Sequence, residues 1–244
     1  MVTLLRKIRH QLLQENRFSR YLLYAIGEIF LVVIGILIAL QINNWNEEKK
    51  ARKYELKMLQ ELQSVLNRDR EYFNSQINRL TEKEKSANRL IQAIEAKEEN
   101  LDTLNKYLQG LRYEILFQYN SGPYESIQSG GLDKISNDSI RSKMTGLYEF
   151  LIPRSEKVLD QLKSSELLES QLLEQITRRN IMDLPSGGRV IRGKIMDSKV
   201  IYGDEFLHLV QINKNSTFVA KSQMERLVPH IDSLLNLLKV EVGN

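Results

Sequence analysis

The chain has 244 residues, 42% hydrophobic and 27% charged, with a formal net charge of +4 and no cysteine. The missing cysteines exclude disulfides, thiolate metal sites and cysteine nucleophiles. The basic excess sits mainly in the first twenty residues, so it does not argue for nucleic acid, and no nucleic-acid partner is expected.

Residues 1–20, MVTLLRKIRHQLLQENRFSR, carry Leu4, Leu5, Ile8, Leu12 and Leu13 at helical spacing with basic residues between them. The pattern suits a cytoplasmic amphipathic leader whose Arg6, Lys7 and Arg9 contact membrane lipid. An ordinary positively charged leader would read the same way.

Residues 21–42 form an apolar run with one ionisable side chain, Glu28. About 20 apolar residues in a helix cross a hydrocarbon core of about 30 Å. A signal peptide would have a shorter core and a small-residue cleavage site, whereas Gln41-Ile42-Asn43-Asn44-Trp45 follows here. A single transmembrane helix is therefore expected. Arg6, Lys7, Arg9, Arg17 and Arg20 precede the span with one acid, Glu15, and Arg17 and Arg20 lie nearer to it than Lys49, Lys50, Arg52 and Lys53, which come after Glu47 and Glu48; this modestly favours a cytoplasmic N-terminus. Tyr21, Tyr24 and Trp45 stand where interfacial aromatic anchors belong.

Glu28 is the anomaly. A carboxyl at membrane depth is costly. Either it snorkels or pairs with Arg17, Arg20 or Tyr24, or it serves an oligomer contact or an ion-responsive role. Gly35 and Ala39 make a small-xxx-small pair that permits close helix approach, and Gly27 continues the spacing. Gly27, Glu28, Gly35 and Ala39 are thus the expected packing or homo-oligomer contacts.

Residues 43–110 read as a long heptad-like helix. No glycine or proline occurs between Gly35 and Gly110. Leu59, Leu66, Phe73, Leu80, Ala87, Ile94, Leu101 and Leu108 recur every seventh position. Intermediate positions are often polar (Gln63, Arg70, Glu84, Glu98, Asn105), which favours packing into a helical bundle over a strict zipper. A break is expected near Glu98-Glu99-Asn100, with Asn100 or Asp102 capping the next helix. Near Leu59 and Leu66 the stripe is expected to contact neighbouring copies.

Residues 111–244 supply the rest of the bundle. Ser121-Gly122-Pro123 precedes a short helix from Tyr124, closed by Gly130-Gly131. Leu132 and Ile135 anchor a turn, and Asn137 or Asp138 caps a helix carrying Ile140, Met144, Leu147, Tyr148 and Leu151. Pro153 ends that helix or opens the next. Ser155 to Asn180 reads as an amphipathic helix with Val158, Leu159, Leu162, Leu167, Leu168, Leu172 and Ile176 inward. A short β-hairpin is the reading around Arg189 to Ile201. Asp204 caps a helix carrying Phe206, Leu207 and Val210. A separate last helix runs from about Thr217 to Val240, kinked at Pro229.

Chemistry-bearing motifs are absent from the sequence. His10, His208 and His230 lack ligand spacing. Gly187-Gly188-Arg189 lacks the P-loop ending, and Ser129-Gly130-Gly131 lacks a nucleophile-elbow context. No catalytic residue, metal or cofactor is expected, and no enzyme.

The stretch ENRFSRYLLYAIGEIFLVVIGILIALQINNWNEEKK, with YESIQSGGLDKISNDSIRSKMTGLY downstream, resembles an uncharacterised family of small single-pass membrane proteins of Bacteroidota-type bacteria. The shared residues are Gly27, Glu28, Gly35, Asn43, Asn44, Trp45 and Asn46, then Tyr124, Ser129, Gly130 and Gly131. The resemblance implies inner-membrane anchoring with a helical periplasmic domain, and no activity. The expectation is a mainly α protein acting as a self-associating envelope scaffold or accessory subunit with an envelope protein partner. The alternatives are a periplasmic ligand sensor working through a partner, or an ion-coupled motor or channel subunit using Glu28.

Overall fold

A computed structural model describes residues 18–183 and 187–243. Arg6, Lys7 and Arg9, expected at the lipid surface, lie outside the described residues, as does the side chain of Tyr21. The protein is mainly α, with one small two-stranded sheet. It divides into two compact units, Met1–Glu55 and Leu56–Asn244.

In the first unit, helix α1 (Phe18–Glu95) carries the apolar run. Leu22, Ile29, Phe30, Leu31 and Leu37 are all at least half exposed. An 18-residue window of this helix has mean hydropathy 2.6 and none of it is buried within the chain. The core helix of a soluble protein, of the same composition, would be mostly covered.

In the second unit, the seven-residue repeat sets the core. Leu59, Leu66, Phe73, Leu80 and Ala87 are all within 1% of complete burial. The expectation that Leu59 and Leu66 meet neighbouring copies is corrected here: both are covered by their own chain. The helix stops at Glu95, and Asn100 caps α2 (Leu101–Leu111) by accepting from the Thr103 amide at 3.0 Å. The break and its cap fall where the polar cluster places them. It also resets the helical phase, so Leu101 is exposed although it continues the heptad count.

Helix α3 (Gly122–Gly130) begins with Pro123 in its first turn and stops at Gly131, as expected. Asn137 caps α4 (Asp138–Thr145), its side chain accepting from the Ser139 and Ile140 amides. Pro153 stands in the first turn of the next helix, in line with the reading that it opens one, and the backbone before it does not leave the helical form. The chain stays helical by widening into a π-segment, Gly146–Leu151, before α5 (Ile152–Asp160). Proline lacks an N–H and its ring crowds the carbonyl four residues back, so a wider turn ahead of it relieves both problems.

A turn at Gln161 and Leu162 divides the helix expected over Ser155 to Asn180. Helix α6 (Lys163–Ile176) starts in a new phase, which leaves Leu167 62% exposed and turns Glu169 and Leu172 inward. The strands are β1 (Arg178–Asp183) and β2 (Arg189–Lys194), antiparallel, with Ile181 opposite Ile191. The hairpin therefore begins earlier than the sequence suggested. RRNIMD holds one β-branched residue, and its helical spacing masked the strand.

A 3₁₀ turn, Ser198–Tyr202, leads into α7 (Asp204–Gly243). This is one helix, not two, with Pro229 inside it. Two apolar clusters result. One joins Leu59–Leu80 of α1 to α3, α4 and the Ala220–Leu238 part of α7. The other joins Ala87–Ala93 to α2, Ile195, Ile201 and the Phe206–Val210 part of α7.

Candidate functional site

Two features stand out, one in each unit. In the first unit, Gly27, Glu28, Gly35 and Ala39 are all exposed on α1. At 3.6 residues per turn, Glu28, Gly35 and Ala39 share about 40° of arc, while Gly27 lies to one side. A Cβ at Gly27 or Gly35 would meet nothing within 4 Å. The described residues leave this face uncovered. Tyr24 and Trp45 are both 57% exposed, and the Lys49 ammonium sits 3.6 Å from the Trp45 ring centroid.

In the second unit, a polar layer lies at the boundary between the two apolar clusters. On α1, Lys83 falls between Leu80 and Ala87; on α7, Asn213, Ser216 and Thr217 fall between Val210 and Ala220. All four are buried, and Glu169 of α6 joins them. The Lys83 ammonium lies 3.9 Å from Glu169 Oε2 and donates to the Tyr113 carbonyl at 2.8 Å. Asn213 Nδ2 donates to Glu169 Oε2 at 2.8 Å and to the Leu111 carbonyl at 3.1 Å. Burial lowers the Lys83 ammonium below its ordinary value, and the negative charges of Glu169 and Glu166 oppose that shift. Burial also raises Glu166 above the usual carboxylate range, partly offset by Lys83.

The two carbonyls gripped by this layer flank Arg112. Its guanidinium lines an open groove of about 630 Å³ formed with Leu173, Glu174 and Thr177 at the end of α6 and with Arg179, Ile191 and Gly193 of the hairpin. Arg112 Nη2 donates to the Gly193 carbonyl at 3.2 Å. Burial lowers its pKa, and nearby Arg192 adds to the effect.

None of Lys83, Arg112, Glu169 and Asn213 stood out in the sequence. The signal was in the heptad register. Asp69, Gln76 and Lys83 stand three positions after Leu66, Phe73 and Leu80, and Gln76 and Lys83 are buried. The polar positions singled out from sequence stood four after, and Gln63, Arg70 and Glu84 are only half-buried. On α7 the run QINKNST looked like a gap between helices; it is the polar layer inside one helix. His208 and His230 are exposed, and among the described residues no acidic, histidine or cysteine cluster could hold a metal.

No curated protein and no solved structure matches the chain. One family profile does match, over residues 28–174, and it is described as a family of unknown function. The matched stretch opens at Glu28 and closes at Glu174, so it takes in the apolar run from Glu28 onward, the heptad stripe and the Tyr124–Gly131 segment. With more than half of its length covered, the chain belongs to the family of unknown function DUF6090.

Proposed function

We propose that this protein is a membrane-anchored interaction subunit of the bacterial cell envelope, held in the inner membrane by the apolar part of α1 and self-associating there. The observation that carries this reading is the uncovered apolar window of α1, whose burial in water-soluble form would need a partner the chain does not supply. Lipid provides it. The leader's basic residues favour a cytoplasmic N-terminus and a periplasmic second unit. Glu28, Gly35 and Ala39 on one face give neighbouring copies a place to approach closely, with the carboxyl available for interhelical hydrogen bonding. The envelope protein partner would dock on the second unit.

The test begins with topology. An alkaline phosphatase fusion at Asn244 is expected to be active and a cytoplasmic reporter at the same point dark. The reverse pattern sinks the orientation, and release of the protein by alkaline carbonate sinks the anchor. Self-association is read by mass measurement in lipid nanodiscs. Gly35→Leu is expected to reduce assembly through added bulk, and Glu28→Leu to weaken it more than Glu28→Gln. A species that is monomeric at every concentration removes self-association and leaves α1 as an anchor alone.

A further inference from the structure

The groove beside Arg112 has the chemistry of a ligand site, and this inference stands apart from the membrane anchoring proposed above. Arg112 is held in place from both sides, because the carbonyls before and after it are gripped by Asn213 and Lys83. Its Nε is buried and has no hydrogen-bond partner. Among the described residues, the guanidinium donates through Nη2 to the Gly193 carbonyl. The nearby charge that acts on it is another cation, Arg192, whose own guanidinium donates to the neutral Gln109 side chain at 3.3 Å. A half-buried guanidinium with spare donors and a like charge beside it is an unbalanced arrangement. Its planar fork matches the two oxygens of a carboxylate or phosphate.

The walls fit the same ligand. Gly193 has no side chain where one would collide: a Cβ there would lie 2.8 Å from Arg112 Nη2 and 2.1 Å from Thr177 Oγ1. Bare backbone therefore lets Arg112 reach the groove. Arg179 enters from β1, paired with Glu174 at 3.0 Å, but both side chains are at least 70% exposed. Such a surface pair is worth little and opens readily. The apolar surface is Leu173 on one side and Ile191 on the other, and Ile191 is 67% exposed with its cross-strand neighbour Ile181 at 66%. An oxoanion alone would leave that surface wet.

We propose that this groove binds a small amphipathic anion: a carboxylate or phosphate monoester held by Arg112 and Arg179, with its apolar body against Leu173 and Ile191. The inner layer of Lys83, Glu169 and Asn213 acts as positioning residues for Arg112. Thr177 forms part of the wall and donates its hydroxyl to the Leu173 carbonyl at 2.5 Å, so the anion is left to the two guanidinium groups.

The experiment is a calorimetric titration of the full chain in phosphatidylcholine nanodiscs at low salt. The probes are phenyl phosphate, benzoate, inorganic phosphate and neutral benzyl alcohol. Saturable binding of phenyl phosphate or benzoate is expected, the tighter of the two naming the headgroup. Inorganic phosphate is expected to bind more weakly, and benzyl alcohol not to saturate. Losing charge-assisted hydrogen bonds in Arg112→Gln is expected to lower affinity about tenfold or more. Arg112→Lys, which keeps charge without the fork, falls between. Arg179→Gln, at an exposed position that cannot upset folding, is expected to cost about threefold with an unchanged thermal midpoint. Absence of saturation by either aromatic anion overturns the proposal. So does equal binding of benzyl alcohol, or unchanged affinity in both Arg112→Gln and Arg179→Gln.

Discussion

Lys83 shows how one residue can be costly and useful at once. Its side chain is 4% exposed and pairs at 3.9 Å with that of Glu169, which is 8% exposed. Such a pair is weak evidence for stability, since desolvation of two charges offsets most of their attraction. Removing one member is another matter. Lys83→Met leaves Glu169 buried without its counter-charge and is expected to cost about 3–5 kcal/mol, while Lys83→Met with Glu169→Leu recovers much of it. Denaturant unfolding followed by circular dichroism measures both. The pH profile gives a second reading. Lys83 is depressed below 10.5 in the folded state, so between its folded value and 10.5 the unfolded chain binds the extra proton and stability rises with pH. Tyr124 works the other way. Burial and its bond to Glu149 at 2.5 Å push its hydroxyl up to about 12, so its contribution is intact below 10 and fades as pH climbs towards 12. Lys83→Met is expected to remove the rise and Tyr124→Phe to flatten the fall.

Among the elements, the packing of α2 on α1 rests on one missing side chain. A Cβ on Gly110 would stand 2.0 Å from Ser86 Oγ and 2.5 Å from Ser86 Cβ. Gly110→Ala is therefore expected to destabilise the second unit by about 1–3 kcal/mol, despite alanine's better helix propensity. Ser86→Gly in the same chain is expected to restore part of the loss, and a double-mutant cycle on thermal midpoints reads the coupling. Gly110 is also an instance of what the sequence carries locally and what it does not. The break at Asn100, the caps at Asn100 and Asn137 and the stop at Gly131 were legible because each depends on a few adjacent residues. The division of α5 from α6, the early start of β1 and the continuity of α7 depend on contacts with distant segments. No window around Gln161 or Asn213 contains them. Polarity in QINKNST suggested a loop because an isolated helix would expose those groups; here α1, α2 and α6 cover them.

For the second unit as a whole, the same polar layer divides the hydrophobic interior. Leu59–Leu80 and Ala87–Ala93 lie on either side of Lys83 along α1, and the two halves of α7 match them across Asn213–Thr217. Polar groups in that boundary, including Ser216 Oγ and Thr217 Oγ1, are buried with no hydrogen-bond partner. Apolar cooperativity is therefore weakest at this level. Hydrogen exchange is expected to show residues 87–111 and 195–210 opening together, at lower free energy than the Leu59–Leu80 half. Equal protection across both halves would contradict this. The apolar helix was plain in the sequence and the polar layer was not, for one reason: a membrane-length run is a property of consecutive residues, whereas the layer is assembled from three helices.

The pairing of α1 with α7 has a consequence for how the molecule comes into being. The row from Leu59 to Leu90 emerges from the ribosome early, yet Phe206, Met224, Leu227, Ile231 and Leu234, which line the interior opposite it, are made late. A nascent chain halted before Asp204 displays that row with much of its cover missing. Contacts of such long sequence separation form slowly and leave apolar surface open to aggregation while they are pending. If the second unit is exported as it is made, the bare row crosses the membrane first and waits on the far side. On the proposed envelope placement, a holding factor, rapid export or the membrane tether would keep such uncovered rows of neighbouring chains apart until α7 arrives.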